Sequence, residues 1–116
     1  GGTWACRGAG IGGEAALQSA LALREQLVAV AASILQADPA TLDVAMGEVV
    51  DRTTGQSRMP LAELGSLVYF RGDTLAKGLP RELVVTRHYI TSEYPFAFTN
   101  GVQASYLEVD VDTGFV

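Results

Sequence analysis

Residues 14–36 place the strongest constraint on this chain. Leu17, Ala20, Leu21, Leu27, Val28, Ala31, Ile34 and Leu35 recur at helical spacing, so a helix gathers them into one broad apolar stripe. Glu14, Gln18, Glu25, Gln26, Ser33 and Gln36 fall largely on the opposite side. Alanine and leucine dominate the stretch, and both are strong helix formers. Asp38-Pro39 ends it, because the residue before proline is pushed out of the helical region. A helix this long with one apolar stripe must lie against something. That something is not lipid: Arg24, Glu25 and Gln26 interrupt the richest apolar run, Leu17 to Leu35, at a cost a bilayer would not repay.

The cover comes from the chain beyond Pro39. Leu42-Asp43-Val44-Ala45-Met46 alternates with a period of two and reads as a half-buried strand. A turn at Gly47-Glu48 leads to a second strand at Val49-Val50. Thr53-Thr54-Gly55-Gln56 turns again into a short third strand at Ser57 to Met59. Pro60 stands where a second helix would begin, and Leu61, Leu64, Leu67 and Val68 give it an apolar face. Leu83 to Ile90 holds a β-branched run and reads as a strand. Val102 to Val111 alternates and reads as another, closed by a turn at Asp112-Thr113-Gly114 into a returning strand at Phe115-Val116. The expected fold is α+β. A long N-terminal helix and a shorter helix pack on a small, mainly antiparallel sheet, as a single domain over residues 1–116.

Size and charge narrow the function. A chain of 116 residues supports one domain, roughly two-thirds of whose surface is buried on folding. Thirteen acids against eight Lys and Arg leave a net charge of −5. That excludes nucleic acid or an anionic membrane as main partner, since both need a basic face. No basic start with an apolar run marks a signal peptide. Cys6 is the one cysteine, so no internal disulfide forms, and a reducing, cytoplasmic setting is expected. The start at Gly1-Gly2 and the finish inside a strand point to a piece of something longer.

Chemistry concentrates at the opening. Six of the first thirteen residues are glycine, and Gly8-Ala9-Gly10-Ile11-Gly12-Gly13 fits G-x-G-x-x-G. A dinucleotide fold needs a buried strand before that pattern and a second parallel strand after it, and neither is evident. The setting still matters. A helix N-terminus carries unpaired N–H groups and partial positive charge, and glycines leave those groups unshielded, so an anionic oxygen is welcome there. The alternative use of such glycines is close packing of the helix on a neighbouring backbone. One cysteine and one histidine, Cys6 and His88, cannot build a zinc site. Asp43, Glu48, Asp51, Glu108, Asp110 and Asp112 flank turns, and none makes a general acid–base pair. Tyr94, Phe96 and Phe98 alternate around Pro95 and read as core.

Several segments in order carry a resemblance. Gly2-Thr3-Trp4-Ala5-Cys6-Arg7-Gly8 is followed by Ile11-Gly12-Gly13-Glu14-Ala15-Ala16 and the Ala/Leu helix. Asp38-Pro39 through Leu42, Gly47-Glu48-Val49 and Leu61-Ala62-Glu63-Leu64 come next. Asn100-Gly101-Val102-Gln103-Ala104, Leu107-Glu108-Val109-Asp110 and Asp112-Thr113-Gly114 close the series. Together they resemble the large subunit of the xanthine dehydrogenase and aldehyde oxidase family, the molybdenum hydroxylases, over essentially the whole chain.

The resemblance implies that the loop Thr3 to Arg7 approaches a molybdenum–molybdopterin cofactor. The backbone of Ala5 would lie nearest the metal, with Trp4, Cys6 and Arg7 flanking it and no metal ligand supplied by a side chain. The family usually has serine where Cys6 stands, and a thiol is the poorer donor. The family's Gly-Gln-Gly segment and its catalytic glutamate, in Gly-x-Gly-Glu, lie upstream and downstream of this region and are not in the chain. The resemblance thus implies a fragment of a molybdopterin-binding subunit, with no catalytic residue of its own. The whole enzyme would oxidise aldehydes or N-heterocycles with water-derived oxygen. FAD and iron–sulfur clusters would sit in other domains or subunits, and the rest of the large subunit would be a partner. The isolated fragment would be inactive. Two alternatives stand beside this: a structural or assembly module, and a small nucleotide-binding domain using the Gly8–Gly13 loop.

Overall fold

The computed structural model describes residues 4–93 and 100–116. The first helix, α1, spans Glu14–Leu35. It is preceded by a π-helical turn over Gly8–Gly13 and a short left-handed kink over Trp4–Cys6. Its end is a left-handed cap. Gln36 takes φ 52°, ψ 42°, and its N–H donates to the Ala32 carbonyl. The N–H of Ala37 donates to the same oxygen at 3.0 Å, which satisfies a carbonyl the helix would leave bare. Asp38 then caps a single 3-10 turn over Pro39–Thr41, its Oδ1 accepting from the Ala40 N–H at 2.9 Å. The proline takes the position where a missing N–H costs nothing.

Three short strands follow: β1 over Leu42–Ala45, β2 over Glu48–Asp51 and β3 over Ser57–Pro60. They form an antiparallel meander in the order β1-β2-β3. Leu42 pairs with Asp51 and Ala45 with Glu48. Met46 and Gly47 close that hairpin with φ of 50° and 81°, the primed two-residue turn that matches strand twist. A register shift between Val49 and Val50 bends β2 against β3. The second helix, α2, spans Leu61–Phe70, and the Leu61 N–H donates to the Gly47 carbonyl at 2.9 Å.

The core lies between the helices and one face of the sheet. Val30, Ala31 and Ala32 of α1 meet Leu42, Val49, Met59, Leu64, Val68 and Leu75. Only the last turns of α1 are buried. Leu17 and Leu21, on the same stripe, remain 51% and 48% exposed. The body formed here thus leaves Leu17 and Leu21, at the front of the stripe, about half exposed, while Leu27 and Val28 pack against the core.

α+β is the observed class, with both helices and the first three strands where periodicity puts them. Three expected strands differ. Leu83 to Ile90, Val102 to Val111 and Phe115-Val116 form no strand and pair in no sheet among the described residues. Alternation marks a surface ready to be half-buried; a strand also needs a neighbour to take its N–H and C=O groups. The radius of gyration, 24.2 Å, against roughly 13 Å for a compact chain this long, fits an arm that does not fold back. The aromatic cluster Tyr94, Phe96 and Phe98, and Thr3, lie outside the described residues.

Candidate functional site

The glycine stretch is not a loop. Helical structure runs from Arg7 through Leu35, so the helix N-terminus falls at Cys6–Arg7, seven residues before Glu14. The first turns use the wider π geometry, which recurs near functional sites. None of the glycines from 8 to 13 has positive φ. A dinucleotide loop needs its glycines in a strand-to-helix turn. Here they lie inside a helix, and the three strands are antiparallel and come after it. The Gly8–Gly13 nucleotide reading has no geometry to stand on.

The close-packing reading is also answered. A Cβ added at Gly10, Gly12 or Gly13 would meet nothing within 4 Å. Nothing in the described chain needs these positions to be glycine. They leave open space along the helix start, beside the loop.

That loop is strained. Ala5 sits at φ 52°, ψ 44°, and Cys6 at φ 59°. Left-handed backbone costs an L-residue about 1–2 kcal/mol. Among the described residues, the other non-glycine cases are Gln36 and Met46, which cap a helix and turn a hairpin. Ala5 and Cys6 serve neither purpose and stand side by side. Strain without a local structural reason is a feature of functional positions. Arg7 braces the kink, its Nε donating to the Trp4 carbonyl at 3.0 Å. Trp4 is 71% exposed, and Cys6 is exposed with a free thiol. The four candidate residues are therefore brought together at one helix N-terminus. Neither of the left-handed residues has an intrinsic preference for that backbone, so no sequence signal announces the kink.

The donor set can be tested against the implied cofactor. Among the described residues, no group of three or more His, Cys, Asp or Glu gathers to ligate a metal. What the loop offers instead is the N–H groups of a helix start and a thiol, beside open glycine positions. That suits an anionic group approached by backbone, and it would leave metal ligation to the group itself.

The other polar features are structural. Arg24 grips Asp43 with two hydrogen bonds, from Nε at 2.7 Å and Nη2 at 2.5 Å, tying α1 to β1. Arg24 and the Val44 N–H hold the Asp43 carboxyl below the usual carboxylate range. Asp51 and Asp110 are held down chiefly by the backbone N–H groups of Thr54 and Thr113, in turns. His88 is exposed on the extended segment. A shallow cavity of about 200 Å³, lined by Leu21, Arg24, Glu25, Val28 and Arg52, lies well down α1 from the loop. No helix among the described residues is long and apolar enough to cross a membrane.

The opening segment thus combines a helix start bordered by open glycine positions, two adjacent left-handed residues and, among the described residues, no ligating cluster of side chains. Residues 1–116 match the molybdopterin cofactor-binding domain family, and the chain belongs to it. It is 33% identical over 115 residues to the nicotine 6-hydroxylase large subunit of Paenarthrobacter nicotinovorans. That alignment covers 99% of this chain and 14% of the relative, so the chain spans about a seventh of the length of the curated relative it matches. No solved structure matches the chain. The family makes this chain part of a molybdopterin cofactor-binding domain.

Proposed function

We propose that residues 1–116 are one segment of the cofactor-binding region of a larger hydroxylase subunit, and that Trp4, Ala5, Cys6 and Arg7 form one wall of its cofactor site. The observation that carries this is the pair of left-handed residues, Ala5 and Cys6, at a helix N-terminus with open glycine positions behind it. The backbone N–H groups there face an anionic part of the cofactor. Arg7 holds the kink in shape through the Trp4 carbonyl. Cys6 supplies a weak donor. When bound, the molybdenum–molybdopterin group supplies the two-electron redox chemistry that this chain's own side chains lack. The whole enzyme, of xanthine dehydrogenase and aldehyde oxidase type, oxidises an aldehyde or N-heterocycle with water-derived oxygen. The name of the nicotine-hydroxylating relative favours the N-heterocycle. FAD and iron–sulfur clusters belong to other domains or subunits, and the setting is cytoplasmic. The isolated chain neither holds the cofactor tightly nor turns over.

The test is Ala5→Val in the intact subunit. A β-branched side chain cannot hold φ near 52° without strain, so the kink must change while the distant core does not. Molybdenum per subunit should fall at least tenfold with unchanged circular dichroism. Full loading of the variant would show that this loop does not line the site.

A further inference from the structure

The chain contains the same hairpin loop twice. In the first copy, Asp51 to Gln56 joins β2 to β3. The Asp51 N–H donates to the Gln56 carbonyl at 2.8 Å and the Gly55 N–H to the Asp51 carbonyl at 2.8 Å. Asp51 Oδ1 accepts from the N–H groups of Thr53 and Thr54 at 2.9 and 2.8 Å. Thr54 Oγ1 accepts from the Gln56 N–H at 3.3 Å, and Gly55 takes φ 72°.

The second copy is Asp110 to Phe115, and these five bonds recur. The Asp110 N–H donates to the Phe115 carbonyl at 2.9 Å and the Gly114 N–H to the Asp110 carbonyl at 2.7 Å. Asp110 Oδ1 accepts from Asp112 and Thr113 at 2.8 and 3.1 Å. Thr113 Oγ1 accepts from the Phe115 N–H at 3.5 Å, and Gly114 takes φ 73°. The pattern Asp-x-x-Thr-Gly-x is common to both.

The first loop has a strand on each side. The second has a fully formed turn and one long arm, Val102 to Asp110, whose ladder groups bond to nothing beyond the turn among the described residues. Seven large hydrophobic residues between 102 and 116 are exposed, Tyr106 at 94% and Val111 at 93%. A solvent-facing arm does not carry that much apolar surface, and an extended edge with free N–H and C=O groups is a template for another strand.

We infer that Val102–Asp110 is the first strand of a β-hairpin whose return strand starts at Phe115 and Val116. Polypeptide of the same large subunit, outside these 116 residues, completes it. The inference rests on the chain being one segment of that subunit, of which it matches about a seventh by its relative. The loop sets the register. Since the Asp110 N–H points to the return strand, so do those of Glu108, Tyr106 and Ala104, at alternate positions along the same edge.

Hydrogen exchange on the intact subunit tests this, with Glu48–Asp51 as an internal standard. The amides of Ala104, Tyr106 and Glu108 should exchange at least a hundredfold more slowly than their unprotected rates, at any protein concentration. Gly114→Val should reduce that protection at least tenfold. Should that variant fail to fold, Asp110→Ala, which removes only the two side-chain bonds, reads the same opening. Unprotected amides at those three positions would overturn the inference. Protection that grows with protein concentration would also overturn it, by assigning the strand to a second copy. Molybdenum measured on the same sample keeps the two readings apart: a loaded subunit with a fast-exchanging arm loses only the hairpin, and an unloaded subunit with a protected arm loses only the cofactor wall.

Discussion

Gly13→Ala separates a glycine kept for the fold from one kept for what lies beside it. Gly13 has φ −63° and ψ −43°, values alanine adopts without strain. The added Cβ would meet nothing within 4 Å. The substitution therefore adds helix propensity and removes unfolded-chain entropy, with no steric term against them. The gain is about 0.8–1 kcal/mol, or roughly 4–8 °C in Tm for a body of this size. Thermal unfolding of the 116-residue chain followed by circular dichroism reads it. The same change in the intact subunit puts a methyl into the open space beside the loop, and molybdenum content should fall there. A chain destabilised by Gly13→Ala would refute the reasoning, because it would mean that some part of the chain packs on this glycine. A stabilised chain with a fully loaded subunit would remove the cofactor as the reason for the open space.

Other expectations rest on named contacts. Leu42 is fully buried where α1, β1 and α2 meet, so Leu42→Ala should cost about 2–5 kcal/mol, read as a lower urea midpoint. The Asp43 carboxyl is held low by Arg24. A depressed folded value adds stability that is complete above the unfolded value of about 3.9 and is lost as pH falls through the folded one. The pair is partly exposed, so its worth is under about 1 kcal/mol, and Arg24→Gln should flatten the fall in urea midpoint below pH 4. Gly55→Val should destabilise the chain by about 1–2 kcal/mol or more, since φ is 72° there. Gly114→Val should leave the stability of the isolated chain unchanged, because the second loop joins nothing to its core. Carboxyl titration by NMR should place both Asp51 and Asp110 below the ordinary aspartate range; an ordinary Asp110 would mean that the second loop is not formed.

How much was legible depended on whether the physics is local. The Ala/Leu stripe, Asp38-Pro39 and Pro60 mark helix bounds through propensity and sterics, and α1 and α2 lie where those put them. The glycine stretch misled because glycine permits helix and loop alike; its helical form comes from continuity with α1. One feature of the site, the kink, had no sequence signal in its residue types. Alanine and cysteine carry no preference for left-handed backbone, so the kink at Ala5–Cys6 could not be read from their types. Only the order of Gly2 to Gly8 before the helix, through the family resemblance it carries, pointed there.

The paired loops show the same division inside one chain. Asp51–Gln56 and Asp110–Phe115 make the same five hydrogen bonds, because Asp, Thr and Gly at those spacings suffice for the turn. Their flanks differ. Glu48–Asp51 lies between β1 and β3, and its Val49 is fully buried beneath α1 and α2. Val102–Asp110 alternates as well or better and stays bare. Periodicity therefore tells where a strand is possible, while the partner that makes it one is a long-range fact. By the same logic, the uncovered Leu17 and Leu21, the open glycines and the bare arm are not three defects of a small domain. On the function proposed above they are surfaces on one chain, each suited to a different part of the larger subunit: apolar cover, an anionic group and a strand.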